Sequence, residues 1–163
     1  MSSILKVDEI QNTGGTTGLT IDSSGRPLTP SRPAFKAHSS ASGWQSFAST
    51  LEVVMPFNAT QHNVGSHWDT SNYRFVAPCN GVYFFYGQLY HNDSTQCQLR
   101  IKVNGSAVAF VNNRTQGTTA GASLTYELST SDQVNMTAKL NSTDSTDWYA
   151  DPSYAFLCGY LIG

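Results

Sequence analysis

The stretch NGVYFFYGQLY, Asn80 to Tyr90, decides the fold. Side chains alternate along a strand, so Val82, Phe84 and Tyr86 point one way while Tyr83, Phe85 and Leu89 point the other. Both faces are therefore apolar. In a β-sandwich only one face of each sheet meets the core, and a second apolar face would lie against water unless something covers it. The closing segment YAFLCGYLIG repeats the pattern, with Tyr154, Phe156, Cys158, Tyr160 and Ile162 on one side and Ala155, Leu157 and Leu161 on the other. A parallel sheet buried on both faces would read this way, but no segment supplies the helices to cover it. The remaining source of cover is another copy of the chain. If the two strands are neighbours in one sheet, its outer face is a subunit interface rich in Tyr and Phe.

Composition narrows the alternatives. The 163 residues are 39% hydrophobic and 12% aromatic, enough for one domain with a core and a short appendage. Charged residues supply only 12%, while Ser, Thr, Asn and Gly together fill 61 positions, a bias that suits turns and strands over helices. The net charge of −2 and the scattering of the nine Lys and Arg argue against nucleic acid as a partner. The opening MSSILKVDEI lacks the pattern of a secretory signal, and no stretch approaches the ~18 apolar residues of a membrane span. A chain made in the cytoplasm, without membrane insertion, is expected. Cys79, Cys97 and Cys158 are too few and too irregular for a disulfide framework or a zinc site, and are read as free thiols.

Residues 1–32 differ in kind from 33–163. The leader pairs two short apolar stretches, Ile4 to Ile10 and Leu19 to Ile21, with Gly-rich turns and a Pro-rich exit at Pro27, Pro30 and Pro33. Too small to bury itself, it is expected to gain order from copies of itself or from a docking partner. Beyond Pro33, short β-prone segments recur about every ten residues between Gly, Asn, Asp and Ser clusters. Strands are expected near Ala34 to Ala37, Leu51 to Phe57, Asn72 to Val76, Gly81 to Tyr90, Gln96 to Val103, Ala107 to Asn112, Gly121 to Leu128, Gln133 to Leu140 and Tyr154 to Ile162. Asn104-Gly105 predicts a type I′ hairpin turn. Nine or so strands beyond the leader fit an all-β fold, an antiparallel sandwich with an extended amino-terminal stem and no substantial helix.

The order and spacing of PAFKA from Pro33, MPFN from Met55, NVGSHWD from Asn63, YRFVAPCNGVYFFYGQL from Tyr73, IKVNG from Ile101, STSDQVNM from Ser129 and the closing CGYLIG resemble the globular head of complement component one-q, within the tumour-necrosis-factor-like jelly-roll superfamily. Phe75, Ala77, Pro78, Gly81, Val82, Tyr83 and Phe84 stand at the family's positions. The resemblance implies an antiparallel jelly-roll sandwich of about ten strands that assembles as a compact homotrimer, with the sheet holding the first and last strands turned to the threefold axis. The trimer interface is then expected at Phe35, Tyr83, Phe84, Phe85, Tyr86, Phe156, Tyr160 and Ile162, with the core-facing side of each two-sided strand left open. Two positions depart from the family: Ser131 replaces a usual Gly before Asp132, and Leu157 a usual Phe two residues before Gly159. There is no collagen-like stalk.

In its place stands LKVDEIQNTGGTTGLTIDSSGRPLTP, which is similar to amino-terminal segments of appendage and fibre proteins of tailed bacteriophages, especially those of marine cyanobacteria. GLTIDSSGRPL is also similar to one unit of a trimeric viral fibre shaft, with Leu19 and Ile21 directed inward and Gly25 at the turn. The expectation is a virion structural protein, a homotrimeric fibre knob or capsid decoration. Ile4, Leu5, Val7, Ile10, Leu19 and Ile21 would attach it to capsid or tail proteins, and the head would face the host surface. The alternative is a secreted complement- or cytokine-like ligand, or a sugar-binding module.

No enzyme is expected: the chain holds no nucleophile elbow, no His-Glu-x-x-His and no phosphate-cradling loop. His62, His67 and His91 would make a metal set only if brought together, and solvated loop histidines are the simpler reading. In NSTDSTDWYADPS, Asp144, Asp147 and Asp151 flank Trp148 and Tyr149. Such carboxylates can hold calcium, but the regular calcium-loop pattern is missing and no cofactor is expected. Trp148, Tyr149, Asp147 and Asp151 are the candidate contacts to a host cell-surface polysaccharide, with aromatic faces for a sugar ring and carboxylates for its hydroxyls. Packing of Trp148 and Tyr149 at the sandwich edge or against the next protomer is the favoured alternative. Trp44 and Trp68 carry the same ambiguity.

Overall fold

The computed structural model describes residues 5–46, 51–92, 97–115, 117–140 and 147–163. Among these every element is a strand or a turn. The leader carries β1 (Glu9–Gln11), β2 (Thr17–Ile21) and β3 (Pro27–Leu28), one small antiparallel sheet in that order. The head carries β4 (Ala34–His38), β5 (Gly43–Gln45), β6 (Val53–Val54), β7 (Ala59–Val64), β8 (Trp68–Asp69), β9 (Arg74–Val76) and β10 (Gly81–His91). It continues with β11 (Cys97–Val103), β12 (Ser106–Asn113), β13 (Thr118–Leu128), β14 (Gln133–Leu140), β15 (Trp148–Ala150) and β16 (Ala155–Leu161).

The head is the expected antiparallel jelly-roll sandwich. One sheet is built around β10, which pairs with β13 along one edge. Its other edge is taken first by β16, from Tyr83↔Leu161 to Leu89↔Ala155, and then by β15 at His91↔Trp148. Beyond β16 lie β4 and β7, and beyond β15 lies β5. The facing sheet runs β12-β11-β14-β9-β8, with β6 added to β14. The Asn104-Gly105 hairpin forms as expected, both residues at positive φ, 50° and 82°, between the paired Val103 and Ser106.

Three departures have physical causes. The strand expected over Leu51 to Phe57 is reduced to Val53–Val54, because Pro56 turns the chain, with Phe57 N donating to Met55 O and Asn58 N to Pro56 O. The edge strand β7, ATQHNV, lacks apolar alternation and gains its conformation only by pairing with β4. The short β5 and β15 likewise exist through each other, Tyr149 opposite Trp44.

Alternation along the two-sided strands sorts the residues cleanly. Tyr83, Phe85 and Leu89 of β10, Phe35 of β4 and Leu157 of β16 face the other sheet and are fully buried. Phe35 stacks on Trp68 and Phe75 at ring-centroid distances of 5.0 and 4.9 Å, and Phe75 meets Tyr83 and Phe85 edge-on. Phe35, Tyr83 and Phe85, expected at a trimer interface, are therefore core residues of the single chain. Register puts them on the inner face, where a second protomer has no access.

Candidate assembly face

What remains on the outer face of the β10 sheet is Val82, Phe84, Tyr86, Gln88 and Tyr90 of β10 beside Phe156, Cys158 and Tyr160 of β16. Cross-strand pairing aligns Phe84 with Tyr160, rings 5.4 Å apart, and Gln88 with Phe156, whose ring meets Tyr86 edge-on at 5.7 Å. Lys36 of β4 pairs with Cys158, and its Nζ lies 4.3 Å from the Phe156 ring centroid. Burial pushes the Cys158 thiol up from its ordinary range, the Lys36 charge opposing only in part. Val82, Tyr160 and Ile162 stay 38, 46 and 42% exposed. The five interface residues left after the correction, Phe84, Tyr86, Phe156, Tyr160 and Ile162, are thus brought to one side of the head and remain open to solvent in part.

The outer face of the facing sheet is different in kind. There Glu52 takes Arg100 at 2.9 Å and Lys102 at 2.8 Å and accepts a hydrogen bond from Thr137. Burial pushes the Glu52 carboxyl up, but the hydrogen bonds from Lys102 and Thr137 and the two cationic charges outweigh it and hold it below the ordinary glutamate range. Arg100 also covers the exposed Phe110 ring. One face of the sandwich is thus suited to water and the other to a partner.

The leader residues expected to attach the chain are poorly covered. Leu5 and Ile10 are 80 and 52% exposed, Ile21 is exposed, and Val7 and Leu19 are half-buried; Ile4 lies outside the described residues. The turn at Gly25, φ 79°, is closed by Gly25 N to Asp22 O, and the Asp22 carboxylate accepts from the backbone of Ser24 and Arg26 and from Arg26 Nε at 2.7 Å. The leader meets the head at a cavity of about 400 Å³ lined by Gly18, Arg32, His67 and Leu161, among others.

The sugar-contact expectation requires correction. Asp147 and Trp148 are buried, since β15 turns Trp148 inward beside His91, and Trp148 reaches only the wall of a separate cavity of about 390 Å³ that it shares with Gln45, Val53 and Pro56. Asp151 spends Oδ1 on the backbone N–H of Ser153 at 2.7 Å, and its carbonyl accepts from Tyr154 and Ala155. Tyr149 stays on the outer face, joined there by Trp44, Tyr90 and Tyr154, and Asp151 stays half-buried. Trp68 is buried, its Nε1 donating to Phe57 O. Asp144 lies outside the described residues, and among those described no three His, Cys, Asp or Glu converge for a metal ion. His62 sits on β7, His67 packs edge-on against Phe75, and His91 is buried at the end of β10.

Comparison with known proteins returns the same architecture. The family model of the C1q domain matches residues 34–162. The globular domain of zebrafish complement 1qA protein superposes with a TM-score of 0.57 at 16% identity, over 81% of this chain and 98% of that one. Murine APRIL superposes with a TM-score of 0.65 at 11% identity, over 80% of this chain and 99% of the other. At such identities the structural likeness speaks for the fold alone. No curated protein matches the sequence.

Proposed function

Because the chain belongs to the C1q domain family, whose model matches residues 34–162, we propose that it is a non-catalytic head that works by self-association, three protomers packing through the part of the β10 sheet's outer face that runs from Val82 to Tyr86 and onto β16, short of Tyr90. The observation that carries this reading is the aligned, half-open row of Val82, Phe84, Tyr86, Phe156 and Tyr160. Covering a large apolar side chain is worth about 1.5–3 kcal/mol when complete. A row repeated on three protomers therefore offers a driving force that outlasts the cost of association. The opposite face carries the charged network around Glu52, which suits it to water. The number three follows from the family resemblance. Sedimentation of the purified chain tests it: a trimer at micromolar concentration is expected, and a stable single chain refutes it.

The head belongs, in this reading, to a bacteriophage particle, as a fibre knob or capsid decoration. The leader's similarity to phage appendage segments supports the assignment, as do the uncovered Leu5, Ile10 and Ile21, which call for a partner at the stem end. Capsid or tail proteins would supply it. Mass spectrometry and antibody-labelled electron microscopy of purified particles are expected to find the chain on the virion; its absence from particles overturns the placement.

A further inference from the structure

We propose that Trp44, Tyr90, Tyr149 and Tyr154 form a binding site for the pyranose ring of a neutral saccharide, at the end of the head remote from the leader. The four residues line a cavity of about 360 Å³, within the roughly 300–1,000 Å³ of small-ligand sites. Their rings make its walls at steep angles to one another. Trp44 and Tyr149 meet at 79° with centroids 5.3 Å apart, and Tyr149 and Tyr154 at 79° and 5.4 Å. Tyr90 lies 5.4 Å from Tyr154 and 5.6 Å from Trp44. Gly43, at φ 78°, sets the turn that carries Trp44 into place, and Tyr154 O accepts from Tyr90 N to join the two strands.

The choice of ligand follows from the polar rim. Among the described residues, no hydrogen bond engages the hydroxyls of Tyr90, Tyr149 and Tyr154 or Nε1 of Trp44. By contrast, the hydroxyl of the neighbouring Tyr86 donates to Gln88 Oε1 at 2.8 Å. Aromatic faces ringed by three free hydroxyls and one N–H fit a ring whose C–H face is apolar and whose edge is hydroxylated. Among the described residues no charged side chain lines the cavity, so an acidic sugar finds no counter-charge there, whereas a quaternary ammonium could rest on the ring faces but would leave the hydroxyl rim unused.

Position fits this use. Pro33 O accepts from Leu161 N, and Gly163 O from Val82 N, so the leader enters at the first end of β10. Tyr90 stands at the other end, about 26 Å along the strand. The inference rests on the reading of the chain as a non-catalytic head anchored by its leader, and it assigns that head its ligand class.

The test uses the full chain and measures assembly beside binding. The probes are a printed panel of neutral and acidic polysaccharides and the methyl pyranosides of glucose, galactose, mannose and N-acetylglucosamine at millimolar concentration. Neutral members are expected to bind and to shift Trp fluorescence, since Trp44 is exposed while Trp68 and Trp148 are buried. Tyr154→Ala and Trp44→Ala are each expected to weaken binding about tenfold, the worth of one ring contact, with sedimentation unchanged. Tyr154→Phe should keep the larger part of the affinity. No binding across the panel overturns the site, as does wild-type affinity in both alanine variants. Loss of assembly in those variants also overturns it, by making the cradle a protomer contact. A single chain that binds sugar through these rings refutes the assembly reading and leaves the site; a trimer blind to sugar does the reverse.

Discussion

Ser131 takes a backbone φ of 75°, in the left-handed region where a Cβ is crowded. The surrounding turn holds it there: Ser131 N donates to Ala77 O, and the Asp132 carboxylate accepts from Ser129 N and Asn104 Nδ2. The Gly usual at this place in the family thus has a conformational reason. Ser131→Gly is expected to stabilise the head by about 0.5–1 kcal/mol, the relieved crowding exceeding the extra chain entropy, in denaturant titrations at fixed protomer concentration. Gly159 has the opposite sensitivity. A Cβ there would lie 2.5 Å from Phe85 Cδ1 and 2.8 Å from Phe84 O, so Gly159→Ala should cost about 3 kcal/mol in the same titration. Glu52 supplies a pH dependence. Its native pKa lies below the ordinary value of 4.5, so its stabilisation is complete above that value and is lost as pH falls through the native one. Glu52→Gln should therefore destabilise by about 1 kcal/mol at neutral pH and by progressively less in acid, discounting for a side chain that water partly reaches.

Consecutive residues of β10 carry opposite duties. Phe85 is sealed against the facing sheet and Phe84 lies under Tyr160 on the outer face. Phe85→Ala should cost about 3–5 kcal/mol of protomer stability, as cavities in packed cores do. Phe84→Glu should leave the fold's circular dichroism intact while dissociating the oligomer in sedimentation. A Phe84→Glu variant that still sediments as wild type would remove β10 from the assembly. Both apolar faces were legible in NGVYFFYGQLY, but not which face was which. That choice waits on the pairing of β10 with β16 and on the hand of the sandwich, and so the expectation mixed Tyr83 and Phe85 with Phe84 and Tyr86.

At the scale of the whole molecule, a well-buried head carries a leader whose apolar residues one chain cannot cover. The leader's own small sheet ends before Pro33, where the chain runs into β4. A chain shortened to residues 33–163 should sediment with its oligomeric state unchanged, because the candidate assembly face lies wholly beyond the leader. Dissociation of the shortened chain would move the assembly determinant into the leader.

The antiparallel sandwich and the surplus of apolar strand surface were set by local pattern, since alternation and turn residues act over a few positions, and the jelly-roll connectivity was legible only through the family resemblance. The aromatic cradle was beyond that reach. Trp44, Tyr90, Tyr149 and Tyr154 come from four separate segments, and the sequence left two readings of Trp148 and Tyr149, packing at the sandwich edge or sugar contact beside Asp147. Only the pairing of β15 with β5 and β10 decided that Trp148 turns inward and Tyr149 outward, because the side a residue faces in so short a strand is fixed by its register against distant neighbours.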